Sequence, residues 1–154
     1  MEVSIANIGD AKQILELQKL AYQSEAEIYR DYNIPPLTQT IEEINEEFGN
    51  QTFLKAVVEN KIIGSVRVFS DGSSCFIGRL IVHPDSQGKG IGTRLMKAIE
   101  ARFPDVRRYE LFTGTKSVAN IRLYDRTGYK KFKEVVVNER LSLVFMEKVG
   151  NQIT

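Results

Sequence analysis

Residues 3–8 alternate apolar and polar, and the pattern then changes to helical spacing from Gly9 to Tyr29. The first stretch predicts a short strand. The second predicts a helix with Ile14, Leu17, Leu20 and Ala21 on one face and Asp10 with Gln13 as a capping pair. Pro35 and Pro36 cannot continue that helix. Residues 39–50 predict a second, short helix, closed by Gly49 and Asn50. Residues 52–70 read as a β-hairpin turning near Glu59, Asn60 and Lys61, and Asp71 to Ser74 as a turn before a strand over 75–82. A helix over 90–103 turns Ile91, Leu95, Ala98 and Ile99 inward. A strand over 106–114, a helix over 117–129 stopped at Gly128, and strands over 130–137 and 141–149 complete the chain. The order is β-α-α-β-β-β-α-β-α-β-β. It predicts a mixed sheet with helices packed on it, an α/β sandwich rather than a doubly wound parallel sheet.

The join between the strand at 75–82 and the helix at 90–103 carries Gly88, Gly90 and Gly92. Backbone N–H groups at a helix N-terminus lack partners and point one way, and the helix dipole adds positive charge. Glycine lets the backbone approach an anion closely and take turns closed to other residues. Strand, glycine-rich loop and helix therefore read as an anion cradle, with a tight ligand-free turn as the plainer alternative. The P-loop pattern fails because Gly90, not Ser or Thr, follows Lys89. The dinucleotide fingerprint fails because the spacing is G-x-G-x-G and lies mid-chain.

Composition narrows the classes. The chain has 154 residues and a net charge of +1, which argues against a dedicated nucleic-acid binder. Cys75 is the single cysteine and His83 the single histidine, so neither a disulfide nor a Cys/His metal site is expected. No secretory or membrane-spanning run is read, and a cytoplasmic enzyme or binding protein is expected.

The stretch Leu80 to Met96, "LIVHPDSQGKGIGTRLM", closely resembles the acetyl-CoA motif of the GNAT superfamily of N-acetyltransferases. The pattern [Gln/Arg]-x-x-Gly-x-[Gly/Ala] is met by Gln87-Gly88-Lys89-Gly90-Ile91-Gly92. A second family motif is matched by "NIRLYDRTGYKKF", Asn120 to Phe132. The predicted element order is also that of the family, and the resemblance covers nearly the whole chain, so 1–154 is expected to form one domain. It implies a mostly antiparallel sheet of about seven strands with about four helices.

The resemblance further implies acetyl-CoA as acetyl donor, with no metal. The backbone of Leu80, Ile81 and Val82 would pair with the pantetheine arm as an added strand. The N–H groups from Gly88 to Thr93, among them Lys89, Gly90, Ile91 and Gly92, would hold the pyrophosphate beside Gln87. Lys89 or Arg94 would either reach the 3′-phosphate or lie in water. Asn120 would contact the cofactor arm. Tyr124 would sit near the thioester sulfur as general acid, since a phenol with a pKa of about 10 can donate to a departing thiolate at close range. An attacking ammonium with a pKa of about 10.4 must first lose a proton. Glu110 is the candidate base, and a water relay is the alternative. Many members carry Asn where this chain has Ser117, and some carry Glu where it has Phe112.

His83 precedes Pro84 in a turn and Cys75 opens a strand, and both are read as structural. The acidic series Glu25, Glu27, Asp31, Glu42, Glu43, Glu46 and Glu47 lies where family members form the acceptor pocket, but is read as solvated helix faces. The implied function is acetyl transfer to a primary amine by direct attack in a ternary complex. A non-catalytic acyl-CoA sensor on the same fold is the alternative. The acceptor would be a small-molecule or protein amine. A homodimer through the last strands is common in the family, and neither a nucleic acid nor a membrane is an expected partner.

Overall fold

The computed structural model describes residues 1–150. Strand β1 (Glu2–Ile5) leads through a 3₁₀ turn into helices α1 (Ala11–Ala21) and α2 (Gln23–Tyr29). Helices α3 (Pro35–Thr38) and α4 (Ile41–Phe48) follow, then strands β2 (Thr52–Val58), β3 (Lys61–Ser70) and β4 (Ser74–Val82). Helix α5 (Ile91–Arg102), strand β5 (Arg108–Gly114), helix α6 (Val118–Arg126) and strands β6 (Lys130–Val136) and β7 (Ser142–Val149) complete the fold. The seven strands form one sheet in the order β1-β2-β3-β4-β5-β7-β6, antiparallel except for the β4–β5 pair. The expected mixed, mostly antiparallel sheet is therefore present.

The hairpin turns where its residues allow. Glu59 and Asn60 have φ of 51° and 66°, the paired left-handed conformation that suits a two-residue hairpin loop. The predicted cap at Asp10 and Gln13 is replaced by one a turn earlier. The Asn7 side chain accepts from the Gly9 N–H at 2.9 Å, and the Asp10 carboxylate accepts from the Asn7 N–H at 3.0 Å. Asp10 also pairs with Lys55 of β2 at 2.9 Å, which ties the start of α1 to the sheet. The single helix predicted over Gly9–Tyr29 is broken at Tyr22, between α1 and α2. Pro35 and Pro36 do break the chain from α2, yet they open α3, where a missing N–H costs nothing.

Two cores hold the layers. Leu95, Met96 and Ile99 of α5 and Tyr124 of α6 pack with Val66, Ile77, Leu111 and Met146 on one face of the sheet. Ile14 of α1, Ile44 of α4 and Phe53 of β2 form the second core. Edge strand β6 is exposed along its length. No helix among the described residues is long and apolar enough to cross a membrane.

Candidate active site

Helix α5 begins on open backbone. Gly88 and Gly90 both have φ of +77°, and a Cβ built on either meets nothing within 4 Å. Gly90 is the N-cap and offers no side chain. The first backbone bond of the helix runs from the Arg94 N–H to the Gly90 carbonyl at 3.1 Å. The N–H groups of Ile91, Gly92 and Thr93 therefore have no intrahelical acceptor. This geometry suits a phosphate, whose oxygens would take those donors. Gly92 marks where three elements meet. A Cβ there would lie 3.5 Å from Leu123 of α6 and 3.7 Å from Leu80 of β4.

Strand β4 parts from β5 beside this cradle. The two pair at Ser74–Arg108, Cys75–Tyr109 and Phe76–Glu110, and the pairing ends there. On its other edge β4 stays joined to β3 through Ile81–Ser65 and Val82–Gly64. Leu80 to Val82 thus present a strand edge with no β5 partner, which suits an extended ligand that pairs as a strand. A bulge lies just before this edge. Register advances two residues on β3, from Ser65 to Arg67, against three on β4, from Ile81 to Gly78. Arg79 sits in the bulge with φ of 50°.

Tyr124 is 7% exposed, and its ring meets Tyr129 edge-on at 6.1 Å between centroids. Burial pushes its phenol well above the ordinary tyrosine range, with Tyr22 and Glu25 adding to the shift. The phenol is therefore neutral at neutral pH. Glu25 reaches this region from α2. Its carboxylate accepts from Ser117 Oγ at 2.5 Å and from Asn120 Nδ2 at 3.3 Å. Asn120 also donates to Thr113 Oγ1 at 3.3 Å. The Tyr29 hydroxyl bonds Ser117 Oγ at 2.8 Å and accepts from the Lys116 N–H at 3.0 Å. Helix α2, the end of β5 and the start of α6 are joined by this network.

The structure brings some predicted residues together and separates others. Leu80, Ile81, Val82, Gln87, Gly88, Lys89, Gly90, Ile91, Gly92 and Thr93 form one continuous run from the free edge of β4 to the first turn of α5. Lys89 and Arg94 point into solvent. Asn120 is on the Glu25 side of the opening. Glu110 lies where β4 and β5 are still paired, and Arg108 binds it at 2.8 Å. Its strand neighbours Tyr109 and Leu111 enter the core beneath α5, so Glu110 faces the opposite side. His83 Nδ1 accepts from the Asp85 N–H at 3.0 Å within the turn. Cys75 is buried, and burial pushes its thiol up, away from thiolate.

Of the acidic series read as solvated, Asp31 and Glu43 accept from nearby backbone N–H groups, and Glu25 and Glu47 bind distant side chains. Glu47 pairs at 2.7 Å with Arg67, which is 2% exposed. Arg67 also donates to Gln18 Oε1 at 2.6 Å and stacks over Phe53 at 4.5 Å. A charged residue between Val66 and Val68, on a strand buried on both faces, was the available signal for Arg67. Arg79 carried no such signal, because its bulge depends on pairing. A cavity of about 440 Å³, lined by Ile8, Phe48 and Arg102 among others, lies away from this region between β1 and α4.

Comparison with known proteins agrees with the fold. The UPF0157 protein YqkA of Bacillus subtilis (strain 168) is 29% identical over 133 residues. That match takes in 86% of this chain but spans only 38% of the relative's length. The ribosomal-protein-S18-alanine N-acetyltransferase of Escherichia coli superposes with a TM-score of 0.83 at 13% identity, covering 99% of this chain and 96% of that one. The PaiA N-acetyltransferase of Thermoplasma acidophilum, in complex with coenzyme A, superposes at 0.72 with 19% identity, covering 97% and 99%. At such identities these two structures show a shared fold. The family described as "Acetyltransferase (GNAT) domain" matches residues 21–149, most of the chain, and this protein therefore belongs to the GNAT acetyltransferases.

Proposed function

We propose that this protein binds acetyl-CoA and passes the acetyl group to a primary amine by direct attack in a ternary complex, within a single domain spanning residues 1–154. One observation carries the reading. The free edge of β4, the open N-terminus of α5 and the helix bearing Tyr124 converge at Gly92. In this reading the Leu80–Val82 backbone pairs with the pantetheine arm, and the Gly88–Thr93 backbone, flanked by Gln87, holds the pyrophosphate.

The cosubstrate supplies an activated acyl group as a thioester. The amine nitrogen bonds to the carbonyl carbon, the carbon–sulfur bond breaks, and the amine gives up a proton. Tyr124 donates its phenolic proton to the departing sulfur and regains one from solvent. A strand N–H at the Leu80–Val82 level donates to the tetrahedral oxyanion. The Arg108 pair occupies Glu110, so the base in this reading is a water relay or Glu25, whose bound donors are neutral. We also include a homodimer through the last strands. Phe112 and Phe132, 50% and 41% exposed, support it, and sedimentation of the purified chain tests it.

Thermal unfolding with and without acetyl-CoA tests the reading. At about 100 Kd the ligand adds roughly 2.7 kcal/mol, a rise of several degrees at this size. No shift at millimolar acetyl-CoA overturns it. Thiol release on adding an amine then separates an enzyme from a sensor, which would bind without release.

A further inference from the structure

Two oppositely charged side chains approach Tyr22 from different elements, and acetyl transfer as such requires neither pairing. The Arg79 guanidinium carbon lies 6.0 Å from the centre of the Tyr22 ring. Arg79 Nε is buried with no hydrogen-bond partner. The Lys and Arg ion pairs among the described residues engage Lys55, Arg67, Arg108, Lys131 and Lys148, and leave Arg79 without a carboxylate. Arg67, the neighbouring buried cation, also leaves its Nε unpaired, but Glu47 at 2.7 Å supplies it with an anion. Arg79 has no such carboxylate. A half-buried guanidinium without a carboxylate can take a planar anion on its fork of N–H groups. The bulge holds it there at a φ of 50°, a conformation seldom taken by an arginine.

Glu25 has the complementary deficit. It lies one helical turn beyond Tyr22, and its bonds come from the neutral donors Ser117 and Asn120. No cation among the described residues pairs with it. Through Ser117 and Asn120, Glu25 is held at the start of α6, the helix that carries Tyr124.

We infer that the acceptor is a small amine that also carries a carboxylate, such as a free amino acid, with Arg79 binding the carboxylate and Glu25 the amine. The inference rests on the acetyl-transfer reading and deepens it. An acceptor with an amine alone would leave Arg79 without an anion, and sites built around a polar pairing reject analogues that lack the partner.

The test is a panel of amino acids, their carboxamides and simple alkyl amines, read by thiol release from acetyl-CoA. Stabilisation of the CoA-bound protein by the matching N-acetyl amino acids gives a second readout. At least one amino acid should be acetylated with kcat/KM about 100-fold above its carboxamide. Arg79→Gln should collapse that ratio toward one, and Arg79→Lys, which keeps charge but not the fork, should fall between. The ratio for the unmodified protein needs no variant, so a folding defect in either leaves the test intact. Carboxamides or alkyl amines used as well as the amino acids would overturn the inference and leave acetyl transfer standing. So would acetyl-CoA binding with neither acetylation nor stabilisation by any carboxylate in the panel. Failure of acetyl-CoA itself to bind would remove both.

Discussion

Gly114 and Tyr29 pack so closely that a Cβ built on Gly114 would lie 1.8 Å from the Tyr29 hydroxyl oxygen. That hydroxyl ties Ser117 and the Lys116 N–H to α2, and Ser117 in turn binds Glu25. The absence of one methyl group on β5 therefore sets how near the Glu25 helix comes to the proposed active site.

Replacing Gly114 with alanine should force the Tyr29 ring outward. Overpacking of this kind costs about 2 kcal/mol, roughly a 5 °C fall in Tm for this size. Acceptor-dependent turnover should fall further than acetyl-CoA affinity, because the cradle at α5 is untouched. Calorimetry and steady-state kinetics measure the two. An unchanged Tm would show that the ring has room to move.

Gly90→Val should weaken the response to acetyl-CoA. A β-branched residue at φ of +77° is strained by about 1–2 kcal/mol, and its branched side chain crowds the N–H groups beyond it. The variant should melt lower and lose most of the acetyl-CoA shift seen in the parent. A full shift would place the pyrophosphate elsewhere.

Tyr124→Phe should lower kcat at least tenfold, about 1.4 kcal/mol of barrier, while acetyl-CoA affinity stays nearly constant. The ring and its contact with Tyr129 survive the change; the donated proton does not. Turnover equal to the parent's would reduce Tyr124 to packing.

Arg67→Ala should destabilise by about 3 kcal/mol, since it strands Glu47, Gln18 and Gln39 and empties the space over Phe53. Burial lowers the guanidinium to about 10, with Glu47 opposing, so the side chain is still charged at neutral pH. Arg67→Met, which keeps volume over the ring, should lose less than the alanine variant in chemical denaturation. Equal losses would mean that the polar bonds, not the packing, dominate.

Features governed by neighbouring residues were legible in the chain. The turn at Glu59–Asn60, the inward face of α5 and the glycine cradle each depend on propensity or φ within a few residues. Features governed by distant partners were not. Glu25 read as a solvated charge because Ser117 and Asn120, its donors, lie about ninety residues away. Glu110 looked free to reach the cleft because nothing local announces that Arg108 would hold it where β4 and β5 remain paired.

The sequence by itself determined the number and order of the strands, the mixed sheet and the run from Leu80 to Thr93, because backbone preference and hydrophobic period act locally. It did not determine the division of the first helical region into four helices. Tertiary structure alone decided where β4 leaves β5, which bulge turns Arg79 toward Tyr22, and which carboxylates stay without cations. Those outcomes depend on register and charge pairing between segments far apart in the chain, which no local pattern encodes.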